Sequence, residues 1–204
     1  MEQVLGWENW FMIEKFKKQI EFIIEIDKIK SIFRKTKLFD KSRHENDAEH
    51  SWHLAIMAII LSEYSNKPID VFKVLKMVLI HDIVEIDSGD YIVYTQQTAE
   101  KESKEKAAAE RIFGILPLEQ EAEFKSLWEE FEERSTPEAK FAAAIDRLEP
   151  VMQNYYTDAD AWRENKISAD QILRVNQRIE RGSEKLWVYA KGLIDECIDK
   201  GLIS

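Results

Sequence analysis

"VLKMVLIHDIVE", residues Val74–Glu85, is the stretch on which the fold turns. Val74, Leu75, Val78 and Leu79 recur at three and four residues, which is the period of a helix rather than the alternation of a strand. The apolar run then ends on His81-Asp82, a pair that is costly to bury unless something compensates it.

The same period runs through most of the chain, and with only six glycines and four prolines in 204 residues there is little to interrupt it. An all-α bundle with helical extensions at both ends follows, as one domain over residues 1–204. The first helix is expected from Trp7 to about Phe33, with Phe16, Ile20, Ile23 and Ile24 on one stripe. "RKTKLFDKSRHEN" then reads as a loop. Asn46 or Asp47 caps the next helix, whose core stripe holds Leu54, Ala55, Ala58 and Leu61, and Asp70 caps the His81 helix. "DSGDYIVYTQQ" reads as an ordered loop over a site, relaxed at Gly89. Later helices are expected from "TAEKESKEKAAAERIFG", from Pro117 to about Arg134, and from Thr136-Pro137 through Tyr156. A capping box of Ser168 and Gln171 opens a last long helix reaching about Asp199.

Composition narrows the function. A formal charge of -10 and a pI near 5.0 disfavour nucleic acid and anionic lipid as partners. The run Ala55–Leu61 is far shorter than the ~20 apolar residues a membrane span needs. The first residues do not read as a signal peptide. Cys197 is the one cysteine, so no internal disulfide forms, which suits a cytoplasmic protein. Trp7, Trp10, Trp162, Trp187 and Tyr189 are expected in the core or at a subunit interface, favouring a homodimer. The acidic run around Glu129, Glu130, Glu132 and Glu133 reads as a solvated face about Leu127, Trp128 and Phe131.

The compensation His81-Asp82 needs is best supplied by one divalent metal ion, because imidazole and carboxylate together suit a borderline or hard cation. His50 offers the second imidazole, from the first turn of the preceding helix. Asp146 offers the second carboxylate, following the small apolar run of "FAAAID". Four ligands on three helices, His50, His81, Asp82 and Asp146, are compatible with manganese, cobalt, iron, nickel, zinc or magnesium. Glu85, one turn beyond His81, is placed to orient or deprotonate water, and Asp90 to assist a leaving oxygen. Arg43, with Lys35 or Arg34, is the expected cationic anchor for phosphate. His53 reads as a packing or ligand-supporting group, and His44 as a solvated or substrate-side residue.

In this order, His50, His81-Asp82 and Asp146 resemble the H…HD…D signature of the HD-domain metal-dependent phosphohydrolases. "ENDAEHS", "HDIVEIDSGD" and "EAKFAAAID" are more specifically similar to the single-domain 5'-deoxynucleotidase-like branch, over roughly Arg34 to Tyr156. The resemblance implies the metal set above, Glu85 acting on water, Asp90 near the phosphate and Arg43 in the adjoining loop. It departs at Arg34-Lys35-Thr36, where that branch carries an Arg-Trp pair; Lys35 stands in for the cation and the aromatic that selects a 2'-deoxy sugar is missing. The expected activity is hydrolysis of (deoxy)ribonucleoside 5'-monophosphates. The alternatives are another nucleotide phosphate bond, as in a phosphodiesterase or triphosphate hydrolase, or a catalytically weak nucleotide-binding protein.

Overall fold

The computed structural model describes residues 2–94 and 99–204, with side chains from residue 12 onward. Among the described residues it is mainly helical, with one small hairpin, as the periodicity predicts. Helices α1 (Glu2–Ile26), α2 (Asp47–Leu61), α3 (Val71–Ile80) and α4 (Glu85–Ser88) precede α5 (Ala99–Phe113) and α6 (Leu118–Glu133). α7 (Pro137–Tyr156), α8 (Asp160–Glu164), α9 (Ala169–Asn176) and α10 (Glu184–Asp199) complete the chain.

α7 is the axis of the bundle and packs against α2, α3, α6 and α10. Its Ala139, Ala142, Ala143 and Ala144 are buried, and such small side chains let neighbouring helices approach the Asp146 turn closely. Pro150 lies inside α7 and removes the N–H that would bond the Asp146 carbonyl. Phe141, Ile145, Leu148 and Val151 join Leu54, Val74, Met77, Ile172 and Ile194 in one apolar cluster.

Four local expectations change. α1 ends at Ile26 and gives way to a 3-10 turn over Asp27–Ser31, so the helix does not reach Phe33. Its stripe of Phe16, Ile20, Ile23 and Ile24 is exposed; α1 docks instead through Phe22, whose ring meets Phe124 edge-on at 5.7 Å. The segment expected as a loop contains an antiparallel hairpin of β1 (Phe33–Lys37) and β2 (His44–Asn46). Lys41 turns it with a φ of 64°, and Leu38 N donates to Arg43 O at 3.0 Å.

The last long helix is broken into α9, a 3-10 turn over Gln177–Arg181, and α10. Gly182 causes the break. It lies so close to α7 that a Cβ there would meet Lys140 O at 2.2 Å and Ala144 Cβ at 2.8 Å. Ser183 then caps α10, accepting from Leu186 N at 3.1 Å while its hydroxyl donates to Tyr64 O at 2.6 Å.

Trp162 is buried, as are Leu127, Trp128 and Phe131 beneath the acidic face of α6. Trp187 is half-buried and Tyr189 exposed. The side chains of Trp7 and Trp10, and the Thr95–Gln97 end of the expected loop, lie outside the described residues.

Candidate metal centre

Three local devices aim the four predicted ligands at one point. Asn46 accepts from Glu49 N at 3.0 Å while its own N donates to Glu49 Oε2 at 3.2 Å, a capping box that starts α2 and puts His50 in its first turn. Asp70 caps α3 through Phe72 N and Lys73 N, and α3 tightens at its end into a 3-10 turn, His81–Val84, that carries the His-Asp pair. Asp146 comes from the middle of α7.

The four side chains converge. His50 Nε2 lies 3.2 Å from Asp146 Oδ1 and 3.8 Å from Asp82 Oδ2. His81 Nε2 lies 3.1 Å from Asp82 Oδ1 and 3.6 Å from Asp146 Oδ1. All four residues are buried.

Their chemistry fits a divalent cation. His81 Nδ1 is 2.9 Å from the Val78 carbonyl, so it carries the proton and donates, leaving the Nε2 lone pair turned toward the carboxylates. That Nε2 is shielded from solvent and has no hydrogen-bond partner. Without a cation the carboxylates hold protons on the rings: burial opposes it, but Asp82 and Asp146 push His81 up to about 9. Asp146 is held well below the usual carboxylate range by His50 and His81, against the effect of burial.

A layer of acids behind the ligands was not foreseen. Glu149, wholly buried on α7, places Oε2 3.3 Å from His50 Nδ1 and Oε1 3.4 Å from His53 Nδ1. Glu45 Oε2 lies 3.6 Å from His50 Nδ1. These carboxylates orient the imidazole so that Nε2 faces the ligand cluster. His53 therefore takes the supporting place expected for it. The available signal was spacing: Glu149 is one turn from Asp146, as His53 is from His50.

On the solvent side, Arg34 Nη1 donates to Asp82 Oδ2 at 2.8 Å and to Asp47 Oδ1 at 3.1 Å. Carboxylate oxygens of Asp47, Asp82 and Glu85 lie within 4.8 Å of one another. Burial first, then Asp82 and Asp47, push Glu85 well above the usual carboxylate range, and burial followed by Asp82 raises Asp47 to about 6. Asp90 is raised too, chiefly by burial. Gly89, with φ 77°, lets the chain leave α4 toward Asp90.

These groups border a cavity of about 260 Å3, whose walls include Arg34, Lys35, His81, Asp82, Glu85, Asp90 and Asp146. Tyr94 closes one side, accepting from Trp162 Nε1 at 2.9 Å and from Asn176 Nδ2 at 3.0 Å. Arg43 is not brought to the cavity. Its guanidinium forks onto Glu49 at 2.6 and 2.7 Å and remains exposed, because it lies beyond the hairpin strand that delivers Arg34. His44 sits on β2, half-buried.

Residues 26–187 match the HD domain family. The chain belongs to the HD-domain family. It is 29% identical over 140 residues to a 5'-deoxynucleotidase HDDC2 of Xenopus laevis, covering 67% of this chain and 68% of the relative. It is 33% identical over 110 residues to that of Danio rerio, covering 53% of this chain and 54% of the relative. The chain thus spans half to two thirds of the curated relatives it matches. A crystal structure described as a predicted metal-dependent phosphohydrolase, from Magnetospirillum magnetotacticum, superposes with a TM-score of 0.89 at 44% identity, covering 94% of this chain and 96% of that one. The chain thus shares the fold of that structure across nearly its whole length.

Proposed function

We propose that this HD-domain protein is a metal-dependent 5'-nucleotidase that converts a nucleoside 5'-monophosphate and water to nucleoside and phosphate. The observation that carries the reading is the convergence of His50, His81, Asp82 and Asp146, with an orphaned imidazole nitrogen, on the wall of a cavity that also holds Glu85, Arg34 and Lys35. Similarity to the deoxynucleotidases of two vertebrates supports it.

A divalent ion held by those four residues supplies Lewis acidity toward a phosphoryl oxygen and toward water. The remaining steps belong to the chain. Glu85, on the cavity wall close to Asp47, accepts the proton of the attacking water from its ionised form, and its raised pKa makes that form a stronger base than an ordinary carboxylate. Arg34 pins Asp82 and Asp47 and turns its remaining N–H groups to the phosphate, with Lys35 at the cavity mouth. Asp90, on the same cavity wall, gives a proton to the departing 5'-oxygen. The P–O5' bond breaks as the new P–O bond to the water oxygen forms.

The missing Trp beside Arg34-Lys35-Thr36 removes an aromatic wall, so ribo- and deoxyribonucleotides are both accepted. We place residues 1–204 in one domain and the protein in the cytoplasm, consistent with a free, buried Cys197. No described helix is long and apolar enough to cross a membrane. A homodimer would cover the exposed Trp52, Ile56, Ile59 and Ile60 of α2, an apolar strip of a kind that marks interfaces.

The test is phosphate release from ribo- and deoxyribonucleoside 5'-monophosphates by metal-stripped protein resupplied with manganese, cobalt or magnesium. Metal-dependent release from both sugars is expected. No release with any metal overturns the activity.

A further inference from the structure

Beyond the metal ligands and Arg34, the cavity wall carries three further guanidinium groups: Arg134, Arg147 and Arg178. They come from separate elements, the end of α6, the turn of α7 after Asp146, and the 3-10 turn after α9. Arg147 Nε stands 3.8 Å from Asp146 Oδ2, so the group borders the metal centre. Among the described residues, neither Arg134 nor Arg178 has a carboxylate within ion-pair distance, and Arg134 Nε is shielded from solvent without a hydrogen-bond partner.

Like charges gathered in a cavity repel, and burial together with Arg147 does lower the pKa of Arg134. The acids nearby do not balance them. Glu105 lies 3.4 Å from Lys101, Glu132 and Asp146 face Arg134, and Asp146 is shared with Arg147. Three arginines against two carboxylates leave a net positive charge, the sign that suits a phosphoryl group.

Arg134 ends α6 in the left-handed region, φ 52° and ψ 38°, a position that favours glycine, so glycine can replace it without backbone strain.

We propose that Arg134, Arg147 and Arg178 form a subsite for a second phosphoryl group on the substrate, next to the one that is removed. The preferred substrate class is then a nucleotide with two phosphoryl groups. This rests on the nucleotidase reading above. Two arrangements share that chemistry, a 5'-diphosphate and a 3',5'-bisphosphate, and the assay separates them.

The test compares kcat/KM for a nucleoside 5'-monophosphate, 5'-diphosphate and 3',5'-bisphosphate, in the native protein and in Arg134→Gly. Glycine suits the left-handed backbone, so this variant folds, and an unchanged or higher Tm confirms that. Charge-assisted hydrogen bonds to phosphate predict a preference of about tenfold for one doubly phosphorylated substrate, lost in the variant. Binding of the same three nucleotides to metal-stripped protein by calorimetry gives a readout without turnover. If no substrate is hydrolysed but doubly phosphorylated nucleotide still binds more tightly and loses that advantage in Arg134→Gly, the subsite stands and the nucleotidase reading falls. Equal binding of all three nucleotides, or an effect of Arg134→Gly on inorganic phosphate alone, overturns the subsite.

Discussion

Glu149→Gln isolates the contribution of the buried acid layer to the metal centre. Glutamine keeps the volume, so no cavity opens in α7, but it removes the negative charge 3.3 Å from His50 Nδ1 and 3.4 Å from His53 Nδ1. The native carboxylate is held low by its contacts with His50 and His53 despite complete burial, so it is charged when it faces the imidazole. A carboxylate behind a ligating histidine typically raises metal affinity by about 10- to 100-fold, or roughly 1.4–2.8 kcal/mol. Glu45 Oε2 remains 3.6 Å from the same nitrogen, so the lower end, about tenfold, is expected. Competition of the protein with a fluorescent chelator for manganese measures it. His53→Ala serves as the control, since it removes the other partner of Glu149 and leaves His50 Nδ1 its acid. A dissociation constant unchanged by Glu149→Gln, or weakened equally by His53→Ala, refutes the orienting role.

Glu85→Gln should retain manganese with native affinity and lose roughly 10^2–10^4 in kcat, as removal of a general base does; native turnover would reassign the proton acceptor. Arg43→Ala should leave KM for a monophosphate unchanged and leave Tm close to native, since the structure gives this arginine an exposed pairing with Glu49. A tenfold rise in KM would return it to the phosphate. Gly182→Ala forces a methyl against the Lys140 carbonyl, and overpacking of about 1–3 kcal/mol should lower Tm by roughly 2–12 °C in thermal unfolding.

Three of the four proposed metal ligands, His81, Asp82 and Asp146, were legible as local anomalies: an acid or imidazole at the end of an apolar helical run needs a partner, and that need is visible in "VLIHD" and "FAAAID" without knowledge of the fold. His50 was legible from its place in the first turn of the helix before the His81 helix. Glu149 carries no such mark: "DRLEP" reads as an ordinary polar turn, and only packing against α2 shows that it is buried. The exchange of Arg43 for Arg34 has another cause. No Asn-Gly or Asp-Gly pair announces the hairpin, and its turn depends on Lys41 adopting a left-handed conformation that lysine does not signal. Pairing of Phe33 with Asn46 then sets Arg34 close to the start of α2, where Asp47 waits. The break at Gly182 was similarly invisible, because one glycine interrupts a helix only where a neighbouring backbone presses on it.

The distribution of charge gives a last consequence. Asp82, Asp146, Glu85 and Asp90 line one cavity wall with Asp47, Glu45 and Glu149 close behind; Arg34 contacts Asp82 and Asp47, and Arg147 Nε stands 3.8 Å from Asp146 Oδ2. Such crowding is costly without a further positive charge, so a bound divalent ion should stabilise the folded chain as well as serve the reaction. At a hundredfold excess over the dissociation constant the linkage amounts to about 2.7 kcal/mol. For a chain of this size that corresponds to a rise in Tm of roughly 5–11 °C. Calorimetry of stripped protein with and without manganese should show it, and Asp146→Ala should abolish the shift. If manganese raises Tm in Asp146→Ala as much as in the native chain, the ion binds elsewhere, and the acid wall owes its stability to shared protons rather than to a metal.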